Sequence, residues 1–477
     1  MKILKLSLVI MFIFVAFSAF CEVLSVKDYI DIVVKNNKEF RSVNLKIDST
    51  KEKLLQTERK YSYLFKACTN YIDGKNRAEC KFNEMETYSA NISKFLKMGM
   101  DVSFGLKCDK SYWKSLDMNN SSVGTDLPKP KSIFLTPSLS LQQSLWKDVN
   151  GVFTKAVISK EQAVIRSGLY LLEYEIENIL LRAKFAYWDL AYSKTVIDFK
   201  KLSLERARKI LNWTQKKYDM DLSEKSNLLQ AQAAVKSKEL DLNRAYETEK
   251  RAIKEFNQFL NIEDGSVIKY ELEKFEKKSV SFKDKTIPEK KRVRADVLSA
   301  LENVHIALCD QIIFQKSLGA ELALKGSFDC NVTNGGIYEK KQIGRLNYSI
   351  GLEYTLPLDF RLRRSINKSY KLAKLSTQES AEYAVIKESN EWLQILDDWN
   401  SAKNRLKLAG EIERIQIQRH KEDENLLRKG RSTTYFVLKS EQELDDAALN
   451  VLQSILDLIK IYEKAKILYS GNYKYEF

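Results

Sequence analysis

Two histidines and six cysteines are all that this 477-residue chain offers for a soft-metal, thiol or imidazole centre. His305 and His420 lie far apart in sequence. A zinc site needs Cys or His in close pairs, because four ligands must converge on one ion. Cys68, Cys80, Cys108, Cys309 and Cys330 show no such spacing. Cys68 and Cys80 are close enough for a local disulfide in an oxidising compartment, and isolated buried thiols are the other reading. No Ser, Cys or Asp sits in a recognisable nucleophile or base motif. The expectation is therefore a protein with no catalytic, cofactor-binding or metal-binding residues, and not an enzyme.

Charge offers a second kind of chemistry. Lys and Arg number 79 against 64 Asp and Glu, a net charge of +15. The cations are spread along the chain and do not cluster, which fits solvated helix faces better than a nucleic-acid surface.

The residues that must position anything are long helices. Pro128, Pro130, Pro137, Pro288 and Pro357 are the only prolines. Proline interrupts helices, so the gaps between Pro137 and Pro288, and after Pro357, leave room for very long ones. One stretch occurs twice in pattern, at 217–261 and 427–471, related by a shift of 209 residues. In the second copy Leu444, Ala448, Val451, Ile455, Leu458, Tyr462, Ala465 and Tyr469 step alternately by four and three. In the first, Val235, Leu242, Ala245, Ala252, Phe256 and Phe259 keep the same rhythm, interrupted by Lys238 and Glu249. A 3.5-residue period holds one apolar seam against a partner helix. Similar stripes mark a first helix (Phe40, Val43, Ile47, Leu54), a long one from Lys155 to about Tyr218 (Leu172, Ile176, Ile179, Ala183, Ala186, Leu190), and a second long one from Arg361 to about His420 (Ile395, Trp399, Ala402, Leu406, Ala409). Val297, Leu301, Val304 and Leu308 predict a further helix. Sixty helical residues extend roughly 90 Å.

The start, Lys2 and Lys5 followed by LSLVIMFIFVAFSAF, reads as a secretory signal peptide over residues 1–21, ending at Cys21. A lipoprotein would need Cys21 as the acylated residue, with the bulky Phe20 before it. No other run is expected to be long and apolar enough to span a bilayer as a helix.

Elsewhere the period falls to two. Met98, Met100, Val102, Phe104 and Leu106 alternate with Gly99, Asp101, Ser103, Gly105 and Lys107. The spacing predicts strands near 98–110 and 132–146, with a loop from about Ser115 to Lys131. Matching strands are expected near 320–332 and 344–358, around the loop TNGGIYEKKQIGR. The segment from Ser62 to Lys97 keeps no clean period; helix extension, loop and small separate element all stay open. The domain plan is then a first repeat over 22–261, an irregular junction over 262–292 and a second repeat over 293–477. Four strands cannot enclose a barrel alone and leave open edges, so membrane strands would demand several copies. Ordinary soluble strands are the other reading.

Several stretches together carry a resemblance. They are SVKDYIDIVVKNNKEFRSVNLKI, PSLSLQQSLW, RAKFAYWDLAYSK at 182–194, SNLLQAQ at 226–232, RADVLSALENV at 294–304, GLEYTLPLDFRLRR at 351–364 and KGRSTTYFVLKSEQELDDA at 429–447. In order and spacing the chain resembles the TolC-type outer-membrane efflux protein family over almost its whole mature length. The resemblance implies a mainly α fold with a β-barrel part. It would be internally duplicated, with long antiparallel coiled-coil helices forming an α-helical tunnel and four membrane strands per subunit in a shared trimeric barrel. It implies a homotrimer in outer-membrane lipid, a passive exit duct for an inner-membrane pump or type I secretion system, coupled through a periplasmic adaptor (a membrane fusion protein). The alternative is a periplasmic coiled-coil adaptor or structural protein without a barrel.

The family closes its tunnel at the turns between paired helices. Here those turns match Gly430 in the second half and Asp221 in the first. Family members often carry aspartates six and nine residues after the second-half glycine, where this chain has Phe436 and Lys439. The first-half aspartate position holds Asn227, beside Ser226. The resemblance thus implies a tunnel entrance at Asp221, Ser226, Asn227, Gly430, Phe436 and Lys439 without the acidic lock. A ring of Lys439 would favour anions; a solvent-facing Lys439 is the other reading.

Overall fold

The computed structural model describes residues 23–76, 81–115, 131–262, 271–272, 275, 286–334 and 342–470. The signal-like start, the loop expected between Ser115 and Lys131, Cys21 and Cys80 fall mostly or wholly outside them. The elements run β1 (Val23–Leu24), α1 (Val26–Asn36), α2 (Lys38–Glu58), β2 (Leu64–Asn76), β3 (Lys81–Leu96), β4 (Met100–Ser115), β5 (Lys131–Ser144), α3 (Val152–Asp219) and α4 (Lys225–Phe259). There follow β6 (Glu271–Leu272), α5 (Ala295–Ser317), β7 (Glu321–Asn334), β8 (Gln342–Thr355), α6 (Phe360–Arg428) and α7 (Thr434–Tyr469). The chain divides into a helical unit, Met1–Ile47 with Leu171–Val297 and Val385–Phe477, and a sheet unit, Asp48–Tyr170 with Leu298–Ala384.

The helical unit is built on the seams. Val235, Ala245, Ala252 and Phe256 of α4 and Ala448, Val451, Ile455, Leu458, Ala465 and Tyr469 of α7 are buried, as their spacing requires. Ile176, Ile179, Ala183, Ala186 and Leu190 line the buried face of α3, and Ile395, Trp399 and Ala402 that of α6. Leu181, Ile395, Ala465, Ile467, Leu468 and Tyr469 form one core cluster; Leu204, Ala207 and Val235 form another. Ser25 caps α1 in a capping box with Asp28, whose backbone N–H donates to Ser25 Oγ at 3.2 Å. Tyr29 then stacks on Phe256 at 4.3 Å and donates to its carbonyl oxygen. Part of the junction falls within the described residues. β6 pairs in parallel with β1, and Phe275 is buried against Trp188 and Tyr192.

Two arginines, one at the end of the junction and one just past it, tie helices together. Arg294 makes a bidentate pair with Asp296 at 2.7 and 2.8 Å, reaches Glu391 and Tyr469, and lies over the Tyr174 ring. Arg292 bonds Glu177 and Glu173 on α3 and the carbonyl oxygen of Ile467.

The sheet unit corrects the strand count. All four expected strands are present, but the sheet has six, in the order β2-β3-β4-β5-β7-β8, every pair antiparallel. The segment left open at 62–97 supplies β2 and β3. Among the described residues the two halves are therefore unequal: four strands of this sheet precede the first long helix and two precede the second. The loop expected at TNGGIYEKKQIGR is also shorter, since Asn334 and Gln342 already belong to strands.

Register puts like with like. Phe65, Ile92, Phe104, Leu139, Phe328 and Tyr348 pair in succession across all six strands. On the other face Ser93, Ser103, Ser140, Ser327 and Ser349 form a parallel row, with Ser327 and Ser349 hydrogen-bonded at 2.7 Å and Ser103 bonded to Ser140. Cys68 is a free thiol opposite Ser89 on the sheet; its suggested partner, Cys80, lies outside the described residues.

Beneath the sheet the β3–β4 turn and the β5–α3 passage interlock. Gly151 has φ 73°, and a Cβ there would also run into the Lys97 carbonyl oxygen, so the site takes glycine on both counts. Asp148 is buried beside it, accepting from the Thr154 backbone N–H at 3.1 Å.

One further expectation fails. Helix α5 is long and apolar enough to cross a membrane by length and composition, with a window of mean hydropathy 1.3. Its polar residues face α3 instead: Asp310 pairs with Lys160 at 2.6 Å, Glu302 with Arg166 at 3.0 Å, and His305 bonds Ser159 at 2.8 Å. The stripe Val297, Leu301, Val304 and Leu308 is correspondingly only partly buried, with Leu301 exposed.

Candidate functional site

The helix pairs α3/α4 and α6/α7 end in two short turns of one design. Asp221 has φ 55° and Gly430 has φ 71°. Leu222 N–H donates to the Lys217 carbonyl at 2.8 Å and Asp221 N–H to that of Tyr218 at 3.0 Å. Arg431 N–H donates to Leu426 at 2.9 Å and Gly430 N–H to Leu427 at 3.1 Å. Both are Schellman closures, in which a left-handed residue satisfies the last carbonyls of a helix. The equivalence of Asp221 and Gly430 inferred from the repeat is thus a shared backbone conformation.

The other residues singled out at these turns separate into two groups. Ser226 is exposed and donates to Glu224 at 3.2 Å, while Asn227 is half-buried, its backbone N–H donating to the Glu224 carbonyl. Phe436 is exposed, edge-on to Tyr435 at 5.5 Å, and Lys439 is exposed. Among the described residues no hydrogen bond or ion pair joins Asp221, Ser226 or Asn227 to Gly430, Phe436 or Lys439. The contact between the two helix pairs here is Thr214 Oγ1 to Thr434 Oγ1, 3.5 Å, both buried.

Further along the helices lies a cluster of charges that their sequence spacing only half announces. Asp445 and Glu441 of α7 have side chains just 1% exposed. Arg206 of α3 donates from Nε to Glu441 at 3.1 Å and from Nη2 to Asp445 at 2.7 Å. Lys238 of α4 donates to Asp445 at 2.5 Å, and Ser203 donates to the same oxygen. His420 of α6 lies against Ser440 at 3.2 Å. Burial pushes Glu441 up to about 7 against the pull of Arg206, and burial pushes His420 down. Two cations on two helices so meet two carboxylates on a third.

Lys238 and Glu441 both fall on seam positions, three residues after Val235 and three before Leu444. A charge at a seam position was the available signal. Lys238 and Lys439 also line a cleft of about 520 Å³ together with Lys200, Asp241 and Asp446. This arrangement can hold helices in register and attract ions. Among the described residues no cluster of His, Cys, Asp or Glu is set to hold a metal.

No family model matches the sequence and no curated protein matches it. Solved structures do match in shape. The outer-membrane channel OprN aligns at a TM-score of 0.66 with 13% identity, over 94% of this chain and 90% of that one. CusC, described with its transmembrane channel formation, aligns at 0.65 with 12% identity, over 95% and 94%. The open state of the Neisseria gonorrhoeae MtrE outer-membrane channel aligns at 0.65 with 12% identity, over 94% and 91%. The chain therefore has the fold of the outer-membrane channel proteins, as its resemblance to the TolC-type efflux family implies.

Proposed function

We propose that this protein is a non-enzymatic outer-membrane channel, the passive exit duct of a tripartite efflux pump or type I secretion system. One observation carries the reading: a broad sheet with one apolar, outward-lying face and one polar face. Phe65, Phe104, Ile350 and Leu352 are 65%, 54%, 74% and 67% exposed. An apolar face running across six strands exceeds what a water-facing monomer surface normally shows, and it suits lipid. The opposite, hydroxyl-rich face suits an aqueous lumen. Strands of 13 to 16 residues exceed the roughly 9–11 that a tilted strand needs to cross a bilayer.

The open edges of such a sheet need partner copies, which supports a homotrimer. The long paired helices would form a periplasmic tunnel, with its entrance at the two turns around Asp221, Ser226, Asn227, Gly430, Phe436 and Lys439. A periplasmic adaptor would dock on this helical part and an inner-membrane pump would supply the energy. A periplasmic adaptor role for this chain itself would leave the apolar sheet face without a solvent.

Membrane fractionation and planar-bilayer recording test the reading together. The expected result is outer-membrane fractionation, a heat-modifiable oligomer, and stepwise conductance from purified protein. A soluble periplasmic monomer that passes no current would overturn it.

A further inference from the structure

We propose that the wall of the channel is built from six strands per chain, closed by a seam between β8 of one copy and β2 of the next. Three copies then make an 18-stranded barrel. This rests on the channel reading above and goes beyond the four strands per subunit that the family resemblance implies.

Register is the first argument. β2 and β3 extend the sheet and continue its faces at the pairs Phe65/Ile92 and Ala67/Ala90, although Leu64 and Phe95 lie on the polar side and Glu86 and Lys94 on the apolar one. Phe65 and Ile92 prolong the apolar row of Phe104, Leu139, Phe328 and Tyr348 without a break. One step along, Ala67 and Ala90 stand beside Leu106 on the same face. On the polar face Ser93 prolongs the serine row, and Asn91 lies beside Gly105. Over these pairs the hairpin keeps the in–out pattern of its neighbours, where a slip of one residue would reverse every side chain.

The edges are the second argument. β2 and β8 are the outermost strands of the sheet, 13 and 14 residues long. Six strands in strict alternation leave these two edges running in opposite directions. A second copy placed head to tail therefore joins β8 to β2 antiparallel, like every other pair in the wall. Lipid offers no hydrogen bonds to an open edge, so each must be paired. One chain cannot close on itself, because membrane barrels begin at eight strands. The number of strands is then a multiple of six.

Width follows from count. With strands about 4.8 Å apart and tilted about 40°, 18 strands give a backbone diameter of about 36 Å, where 12 would give about 24 Å. Barrels of 16 to 18 strands enclose an aqueous channel. The outer-membrane pore of this protein would pass bulkier cargo, or need more of its own connections folded inward, than a twelve-stranded one.

Cysteine cross-linking in intact outer membranes tests the seam. In a chain whose Cys68, Cys80, Cys108, Cys309 and Cys330 are replaced by Ser, Phe65→Cys is combined in turn with Leu346→Cys, Tyr348→Cys, Ile350→Cys, Leu352→Cys and Tyr354→Cys. The series covers the stagger that barrel closure introduces. Directly opposed strand residues lie about 4.5–5.5 Å apart at Cα, within disulfide range. The expected result is reducible dimer and trimer bands for at least one combination. A parallel series with Phe104→Cys reports a four-stranded wall, in which β8 meets β4. Bands from the Phe104 series, or a conducting trimer that yields none from the Phe65 series, overturn the six-stranded wall and leave the channel reading standing. A protein that is monomeric by light scattering in detergent and does not conduct overturns both.

Discussion

Lys238 and Asp445 meet at 2.5 Å although each sits where a coiled-coil helix turns inward. Their helices bury one further cation contact to the same carboxylate, from Arg206. A buried ion pair adds little net stability when intact, but removing one partner strands the other in a low dielectric.

Arg206→Met should therefore be costly. Glu441 and Asp445 would keep only Lys238 as a cationic partner. The expected loss is about 3–5 kcal/mol, read as a lower denaturation midpoint of the purified protein in detergent. A variant that also carries Glu441→Gln should recover part of it. An Arg206→Met midpoint equal to wild type would mean that the cluster is solvated in the assembled protein.

The same cluster predicts a pH dependence. Glu441 is raised from 4.5 to about 7 in the folded chain, first by burial and then by Asp445, against Arg206 and Lys238. A raised carboxyl binds its proton more tightly when folded. Its contribution is fully present below 4.5 and is lost as pH rises through 7. His420, lowered by burial, acts in the opposite sense near 6.5. Glu177 shares the direction of Glu441 elsewhere in the helical unit. Comparing Glu441→Gln with wild type at pH 5.5 and pH 8 isolates one group. The variant should gain stability at pH 8 relative to pH 5.5 by on the order of 2 kcal/mol. Parallel pH profiles would show that Glu441 does not titrate in this range.

The two turns predict substitutions of opposite sign. A Cβ at Gly430 would touch nothing within 4 Å, so Gly430→Ala meets only the backbone penalty of φ 71°. The cost should be about 1 kcal/mol. Asp221 already bears that strain at φ 55°, and Asp221→Gly should be neutral to slightly stabilising. Urea midpoints of the two variants check the pair. Destabilisation by Asp221→Gly would point to a side-chain role beyond the turn.

Lys439 carries the prediction about ions. If it lines the entrance, three copies form a cationic ring, and Lys439→Asp should shift reversal potentials toward cation preference in planar bilayers. Unchanged selectivity would place it on the outer surface of the helices, facing the cleft it shares with Lys200 and Asp241.

How much of this was legible depended on period. The helices read well because Ile176, Ile179, Ala183 and Ala186 repeat at 3.5 residues over many turns, and their burial follows. β4 read well because Met100 to Leu106 alternate cleanly. β2 and β3 did not, since Leu64, Ile72, Met85 and Phe95 fall on the polar face and Glu86 and Lys94 on the apolar one. Only pairing with β4 gives those strands a face, and pairing is not local in sequence. The charge cluster was hidden for a related reason. Arg206 and Asp445 look like solvated helix residues until the helices are laid side by side. At the turns, Asp221 and Gly430 were found through the repeat, although nothing in composition links an aspartate to a glycine.

The unequal strands of the two halves also bear on biogenesis. β5 and β7 are neighbours in the sheet, yet Leu139 pairs with Phe328, roughly 190 residues later. In a chain exported as proposed, four strands would emerge from the export machinery long before their fifth, with an unclosed lipophilic flank. Contacts of such long range form slowly, and waiting edges invite aggregation. This architecture would make the nascent first half dependent on a holding chaperone in transit, and would set the arrival of β7 and β8 as the step at which insertion begins.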